Sequence, residues 1–222
     1  MSETDLLSRP SAKESRRARI IHEAHKMIGA DGYDGLSLRK LAKAADVTVP
    51  TIYNLIGPKE QILIELFRGW IAQIEAALDQ IEKDQPLDLA ETIITEATDL
   101  IAQDEVFFRA AHIALNRLIE GDESQSSFNN FGQRASGMQT EAVRRAQLQG
   151  LLKGAIPAET LGRQIFFNYN EASRYWMTGR HSLAEFRNTA LVGVYICFLA
   201  DATDRFRPEL LRRLSRMWIP KV

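Results

Sequence analysis

Residues 35–59 read GLSLRKLAKAADVTVPTIYNLIGPK and determine the fold of the N-terminal part of the chain. Ser37 is a predicted N-cap, and the apolar residues that follow it recur at helical spacing. Asp46 occupies a sharp turn where a left-handed backbone is needed, which Asp tolerates better than most residues. Thr48 then caps a second helix, with Pro50 in its first turn, where a missing N–H costs little. The stretch therefore predicts two short helices joined by a tight turn.

The outer face of the second helix carries small and polar side chains. They are Thr48, Val49, Pro50, Thr51, Tyr53 and Asn54, and the preceding helix adds Arg39, Lys40 and Lys43. A short rigid helix with such a face is suited to the major groove of DNA. The alternative is an ordinary helical hairpin whose polar face is only solvated.

Charge is distributed unevenly along the 222 residues. The whole chain has a formal net charge of −1, but residues 13–43 contain eight basic and four acidic side chains, a net of +4. A basic end on an acidic body attracts phosphates to that end alone. For Arg16, Arg17 and Arg19 taken alone, a solvated helix surface is the alternative.

The same run resembles the DNA-binding domain of the TetR family of bacterial transcriptional regulators. The resemblance extends from Gly32 to Lys59, although Asp46 stands where the family usually has Gly, and Ile56 where it usually has an aromatic residue. It implies an all-α protein in which an N-terminal three-helix helix-turn-helix domain is joined to a larger helical domain. The implied division is a flexible N-terminal arm (1–12), a DNA-binding domain (13–60) and a ligand-binding and dimerisation domain (61–222).

The resemblance also implies a role for each residue of the outer face. Arg39 reaches a base edge, and Val49 and Pro50 contact thymine methyl groups. Phosphates are bound by Thr48, Thr51, Tyr53 and Lys59. Ser37 adds a phosphate contact, and Asn54 binds either a base or the backbone.

The rest of the chain predicts helices and no strand. A capping box of Ser11 and Glu14 opens the first helix, which ends near Gly32. Further helices are predicted at 58–83, 88–101, 107–120, 138–149, 157–177, 182–204 and 208–217, with a mobile loop at 122–127.

Two of these helices, 157–177 and 182–204, are too apolar for one small bundle to hide all their sides. Self-association would cover the surplus, and the resemblance implies a four-helix homodimer interface. A two-fold pair of recognition helices about 34 Å apart reads a palindromic operator. The final helix, 208–217, covers either the body of the protein or the dimer seam.

Scattered aromatic and polar residues in the middle helices predict a site for a small lipophilic or aromatic effector. They are Trp70, Phe107, Phe108, His112, Asn116, Phe128, Phe131 and Tyr169. His112 and Asn116 lie one turn apart and are the best polar anchors. The alternative is that most of these side chains are plain core. By family logic, the effector tilts the helix that starts at Pro58 and releases the DNA.

Other chemistry has weak support. His22 and His25 are expected to be exposed helix residues rather than metal ligands, and Cys197 to be a buried small hydrophobe. No metal, cofactor or catalytic residue is predicted. The chain shows no secretory signal and no apolar run of about 20 residues, which predicts a cytoplasmic protein with no membrane partner.

The predicted function is thus a ligand-responsive transcriptional regulator, a repressor, and not an enzyme. The alternative is a helical enzyme or small-molecule carrier with an incidental N-terminal hairpin. Glu171 would be its acid or base, although pairing with Arg174 or Arg163 is the simpler interpretation.

Overall fold

The computed structural model describes residues 11–81, 85–120 and 125–217, without the side chains of 120–131. The predicted arm thus lies almost wholly outside the described residues. The described part is helical, with one isolated antiparallel bridge between Leu152 and Ala202, and the all-α prediction is confirmed. Its helices are α1 (Ala12–Gly35), α2 (Leu38–Ala44), α3 (Val49–Leu55), α4 (Lys59–Leu78), α5 (Pro86–Gln103), α6 (Glu105–Glu120), α7 (Gln125–Leu148), α8 (Ala158–Met177), α9 (Leu183–Asp201) and α10 (Arg207–Met217).

Local capping sets the start of two long helices as predicted. At α1, the Glu14 amide donates to the Ser11 hydroxyl at 3.1 Å, and the Ser11 amide donates to the Glu14 carboxylate at 2.7 Å. The same reciprocal pair, Ser182 and Glu185, opens α9. Each pair satisfies two amides that the helix itself cannot satisfy.

The predicted loop at 122–127 is wrong for residues 125–127, because α7 begins at Gln125 rather than at Met138. Packing overrides the weak helix propensity of this Ser- and Gly-containing segment. A Cβ placed on Gly132 of α7 would lie 3.8 Å from the Phe166 ring of α8. The packing therefore includes the early part of α7.

Contacts divide the chain into two compact units. The first comprises Met1–Gly69 and Glu105–Ser124, and the second Trp70–Asp104 and Gln125–Val222. The first unit thus adds half of α4 and all of α6 to the predicted DNA-binding segment 13–60. The functional division at residue 60 stays a prediction.

The core of the first unit forms around α1. Ile20 and Ile28 are fully buried, as are Leu41 of α2 and Ile52 of α3. Helix α6 packs on α1, and burial of these aliphatic side chains drives the assembly.

In the second unit, α7 packs on α8, α8 on α9, and α5 on both α9 and α7. Fully buried aromatic side chains fill the interior, among them Trp176, Phe186 and Phe198. Gly162 of α8 allows the closest approach, because a Cβ there would lie 2.6 Å from backbone atoms of Thr140 on α7.

Helix α10 covers the body of the second unit. It packs on α9 through the buried Leu210. Arg213 pairs with Glu91 at 2.6 Å and with Asp88 at 2.7 Å, both on α5. Of the two positions open for this helix, the structure favours the body.

Helix α9 is long and apolar enough, by length and composition, to cross a membrane, the one such helix among the residues searched. Its packing gives a simpler explanation. Phe186, Val194 and Phe198 are fully buried in the second unit. The buried Asp201 accepts hydrogen bonds from the Gly154 and Ala155 amides at 2.9 and 3.0 Å. We therefore interpret α9 as a core helix.

Two helical glycines should respond oppositely to alanine. Gly162→Ala should lower the free energy of unfolding by about 1–3 kcal/mol, because the Thr140 backbone cannot move aside cheaply. Gly69 of α4 has no atom within 4 Å of the position that an added methyl group would take, so Gly69→Ala should raise that free energy by about 0.5–1 kcal/mol. Urea denaturation measures both, and a Gly162→Ala protein as stable as wild type would contradict the close α7–α8 packing.

Candidate functional site

The turn between α2 and α3 has the predicted left-handed backbone. Asp46 has φ 50°, the one positive φ at a non-glycine among the described residues. The Val47 amide donates to the Ala42 carbonyl at 2.9 Å across the turn. Ala45 is fully buried beneath it. The sharp turn fixes the direction in which α3 leaves α2.

Helix α3 begins as its sequence predicts. The Thr51 amide donates to the Thr48 hydroxyl at 3.3 Å, and the two threonine hydroxyls are 2.8 Å apart. Pro50 lies in the first turn. Ser37 occupies the N-cap position of α2, but its side chain makes no capping hydrogen bond, so that expected cap is wrong.

The predicted recognition face is open to solvent. Tyr53 is 53% exposed, Thr48, Pro50 and Asn54 are exposed, and Val49 and Thr51 are half-buried. Ile52 points the opposite way and is fully buried. Burial of one side of α3 thus presents the other side, with its hydroxyl, amide and small apolar groups, outward.

Basic groups flank this face. Arg39, Lys40 and Lys43 are exposed on α2. Lys59, the first residue of α4, has its Nζ 4.3 Å from the centre of the Tyr33 ring and 3.4 Å from the Asp34 carbonyl oxygen. The aromatic ring and the carbonyl hold the ammonium group in place.

Arg17 is a structural residue that sequence reasoning missed. Its guanidinium donates to the Leu55 carbonyl at the end of α3, at 2.5 Å, and also binds the Glu65 carboxylate on α4. A cation at a helix C-terminus is favourable because the last carbonyls carry partial negative charge. Arg17 thereby ties α1, α3 and α4 together.

Glu65 is the centre of this ion-pair cluster. It also accepts hydrogen bonds from Arg68 at 2.5 Å and Gln61 at 3.2 Å. Burial alone would raise the pKa of Glu65, but the hydrogen bond and charge of Arg17, with Arg68 and Gln61, lower it below its ordinary value. Glu65 therefore stays ionised at neutral pH and keeps the cluster intact.

The predicted effector residues fall into both units. Phe107, Phe108, His112 and Asn116 belong to the first unit, and Trp70 and Tyr169 to the second. The side chains of Phe128 and Phe131 lie outside the described residues. The candidates therefore form two sets, one in each unit.

His112 is the central residue of the first set and is 5% exposed. Its Nδ1 is 2.7 Å from the Phe108 carbonyl oxygen, and its ring meets the Phe67 ring edge-on at 5.1 Å. Burial lowers the pKa of His112 to about 4, so the ring is neutral at neutral pH and Nδ1–H donates to Phe108. The side-chain amide of Asn116 donates a hydrogen bond to the backbone carbonyl of His112 at 3.1 Å.

Tyr169 represents the second set. Its ring packs 5.1 Å from the Phe186 ring, and its hydroxyl oxygen is buried. Burial raises the pKa of Tyr169. Gln139 of α7, which sequence reasoning missed, is 2% exposed. A detectable signal existed, because Gln139 shares a helical stripe with the fully buried Ala142, Val143 and Ala146.

The other candidates have ordinary surroundings. His25 stacks on Phe107 at 3.7 Å, whereas His22 is exposed. No group of three or more potential metal ligands occurs among the residues searched, which are those described. Cys197 is buried, and burial raises the pKa of its thiol to about 11, so the small-hydrophobe interpretation is confirmed. Glu171 is exposed rather than buried.

Comparison with known proteins identifies the N-terminal region. Residues 20–66 match the family described as "Bacterial regulatory proteins, tetR family". Over 110 residues the chain is 26% identical to the HTH-type transcriptional repressor KstR of Rhodococcus jostii, a match over 50% of this chain and 51% of that protein. The chain thus spans about half the length of that relative.

Longer matches cover the second unit too. Over 190 residues, 81% of this chain and 93% of the relative, the identity to the fatty acid metabolism regulator protein of Bacillus subtilis is 26%. The crystal structure of FadR from Bacillus subtilis in complex with stearoyl-CoA superposes with a TM-score of 0.62 at 21% identity, over 78% of this chain and 95% of that one.

The fold and the helix-turn-helix geometry define a DNA-binding transcriptional regulator. The comparisons confirm the resemblance found in the sequence, because residues 20–66 match the tetR family of regulatory proteins. The relatives that match it are named as regulators, not as enzymes.

Burial of His112 should make stability depend on pH. The unfolded chain takes up a proton near pH 6.5 and the folded protein near pH 4, so this contribution is complete above pH 6.5 and is lost as the pH falls toward 4. Between pH 7 and pH 5 the free energy of unfolding should fall by about 2 kcal/mol. Urea denaturation at the two pH values measures it.

His112→Leu should remove most of that pH-dependent loss, because the buried titrating group is gone. The same substitution at the exposed His22 is the matched control and should keep the wild-type dependence. An equal loss in wild type and His112→Leu would contradict the assignment.

Proposed function

We propose that this protein is a repressor that binds a palindromic operator as a homodimer and is released by a lipophilic or aromatic effector. The observation that best supports this proposal is the exposed outer face of α3. Burial of Ile52 on the opposite side of the helix keeps that face directed outward. We further propose that it acts in the cytoplasm, where operator DNA lies, and has no catalytic activity.

The recognition helix enters the major groove with its first turn leading. Arg39 donates two hydrogen bonds to a base edge, most often a guanine. Val49 and Pro50 lie against thymine methyl groups, which suits their small apolar surfaces. Asn54 is exposed at the far end of the helix and binds a base or the backbone.

Phosphate contacts set the register of the complex. The residues assigned to them are Ser37, Thr48, Thr51, Tyr53 and Lys59. Support comes from the exposure of Thr48 and Tyr53 and from Lys59, whose ammonium group the Tyr33 ring holds beside the N-terminus of α4. A preorganised ammonium loses little side-chain freedom when it meets a phosphate.

Two substitutions separate base reading from phosphate binding. Arg39→Ala should weaken operator binding by about 1–3 kcal/mol and relax the preference at one base pair. Lys59→Ala should weaken binding to all duplexes alike. It should also lower the slope of log affinity against log salt concentration by about one. Gel-shift titrations on the DNA that flanks the protein's own gene measure both effects.

Lys153→Ala is the matched control, since Lys153 is an exposed lysine of the second unit and should bind like wild type. Unchanged binding by both Arg39→Ala and Lys59→Ala would refute the assigned interface. Failure of the wild-type protein to bind that duplex at low salt would favour the carrier or enzyme alternative.

Helices α8 and α9 provide the proposed dimer interface. Phe167 of α8 is 54% exposed and Ile196 of α9 is 55% exposed, although both helices are otherwise buried on their inner sides. Tyr175 of α8 is 39% exposed. A two-fold axis would bring these apolar groups against their copies and hide them from water.

Charge placed at this surface should break the dimer. Phe167→Glu or Ile196→Glu should give a monomer in sedimentation and lose at least about tenfold in operator affinity, because the two recognition helices no longer bind together. Leu148→Glu is the matched control at an 82% exposed leucine of α7. If all three proteins stay dimeric, the interface lies elsewhere.

Effector release requires that the ligand bind the DNA-free conformation more tightly than the DNA-bound one. Helix α4 is continuous from Lys59 to Leu78, so a displacement of its C-terminal half would move Lys59. The stearoyl-CoA bound by FadR of Bacillus subtilis supports a long apolar effector for this chain.

A further inference from the structure

Several buried polar groups in the second unit have clear hydrogen-bond partners. The Thr98 hydroxyl donates to the Ile94 carbonyl at 2.9 Å, and the Ser173 hydroxyl donates to the Asn170 carbonyl at 2.8 Å. Asp201 accepts two backbone amides. Because most buried polar groups in proteins are hydrogen-bonded, a buried group without a partner is informative.

Gln139 is the exception on α7. Its side-chain nitrogen donates to the Ala90 carbonyl of α5 at 3.2 Å. Because a carbonyl can only accept, this bond fixes which end of the amide faces Ala90. The Gln139 oxygen is buried and finds no hydrogen-bond partner among the residues that the structure describes. It therefore presents an acceptor to the interior.

Tyr169 is the corresponding exception on α8. Its hydroxyl is buried and likewise lacks a partner in the described part of the chain. Its ring is fixed against Phe186 of α9. Burying a polar group without a partner costs free energy, so the Gln139 oxygen and the Tyr169 hydroxyl indicate a ligand that pairs them. The buried Nδ1 of His181 also lacks a partner among the described residues, but it lies in the loop between α8 and α9.

The direction of the two helices tilts the side chains of Gln139 and Tyr169 toward each other along the α7–α8 pair. Gly132 and Thr140 of α7 lie beside Phe166 and Gly162 of α8, respectively, so the two helices run antiparallel. Helical side chains tilt toward the N-terminus of their own helix. The Gln139 side chain therefore tilts toward the level of Phe166 on α8. The Tyr169 side chain tilts toward the N-terminus of α8, which is also the direction of Phe166.

We propose that Gln139 and Tyr169 are the polar anchors of the effector site and that the effector presents an uncharged hydrogen-bond donor, a hydroxyl group, to the Gln139 oxygen. Tyr169 then donates to the oxygen of that hydroxyl. This inference rests on the proposed effector function and adds the chemical class of the ligand, a lipophilic alcohol.

The distribution of basic side chains supports an uncharged head group for the ligand. No lysine or arginine is buried among the described residues, so no buried cation neutralises a carboxylate or phosphate in this interior. The Gln139 oxygen would repel an anionic oxygen. A thioester or ether oxygen pairs with Tyr169 but has no proton for Gln139.

Three ten-carbon probes that differ in the head group test this. They are decan-1-ol, decyl methyl ether and decanoate, and the readouts are the thermal shift of the protein and release of operator in a gel shift. Decan-1-ol should bind at least about tenfold more tightly than the ether or the carboxylate, because only it satisfies both anchors.

Variants identify the groups responsible. Gln139→Met should lower the affinity for decan-1-ol to that for the ether, and Tyr169→Phe should weaken both. The controls are Gln147→Met, which removes a similar amide-to-carbonyl bond on α7, and Tyr195→Phe on α9, which removes a hydroxyl that donates to Glu91 at 2.8 Å. Both controls should keep the wild-type preference for the alcohol.

The stability of the ligand-free protein distinguishes a ligand-binding role of these residues from a purely structural one. Tyr169→Phe removes a buried hydroxyl that lacks a partner among the described residues and should not lower the melting temperature. Gln139→Met also removes the hydrogen bond to Ala90, so it should lower the melting temperature no more than the control Gln147→Met does. A lower melting temperature for Gln139→Met with an unchanged alcohol-to-ether ratio would assign Gln139 a purely structural role and overturn the inference.

The remaining outcomes separate the two proposals. Equal binding of alcohol and ether, or no binding of any probe, overturns the inference, whereas operator release by stearoyl-CoA in the same gel shift would leave the repressor proposal standing. A preference for the alcohol without release of operator supports the alcohol site and counts against effector-controlled repression.

Discussion

Helix α3 has seven residues, too few to persist alone in water, and the burial of Ile52 is what holds it. A helix anchored along one side must present the other, so the exposure of Pro50, Tyr53 and Asn54 follows from that contact. The Thr48 cap and the left-handed Asp46 fix where the helix begins. The DNA-binding proposal depends on this orientation more than on any single polar group.

Arg17 extends the anchoring to the other end of the same helix. It binds the last carbonyl of α3 and the Glu65 carboxylate of α4 at once. Its side chain is 40% exposed while that of Glu65 is 14% exposed, so water weakens but does not abolish the pair. The link gives α4 a direct mechanical connection to the recognition helix through a side chain of α1.

Local chemistry explains which features the sequence could predict. The capping pairs at Ser11 and Ser182 and the turn at Asp46 involve residues at most a few positions apart, so their spacing is visible in the sequence. The outward face of α3 follows from helical periodicity. The family resemblance supplied the domain order, which periodicity alone does not contain.

Features that depend on distant partners were not predictable. In the sequence, Arg17 resembles any solvated arginine, because its partners Leu55 and Glu65 are far away along the chain. The early start of α7 depends on the approach of Phe166 to Gly132. Gln139 could have been placed in the core from its stripe. The orientation of its amide, however, is set by the hydrogen bond from its nitrogen to the Ala90 carbonyl. Ala90 lies 49 residues earlier in the chain, so the sequence does not show that the oxygen is left without a partner.

The first unit is assembled from two separate stretches of chain, with α6 arriving after α5. On the ribosome, the N-terminal helices therefore emerge well before Phe107, on which His25 stacks. The nascent DNA-binding part must wait with an uncovered apolar side while about 50 more residues are synthesised, a few seconds at ordinary translation rates. A fragment cut directly after the recognition helix would keep that side uncovered permanently and would be prone to aggregation.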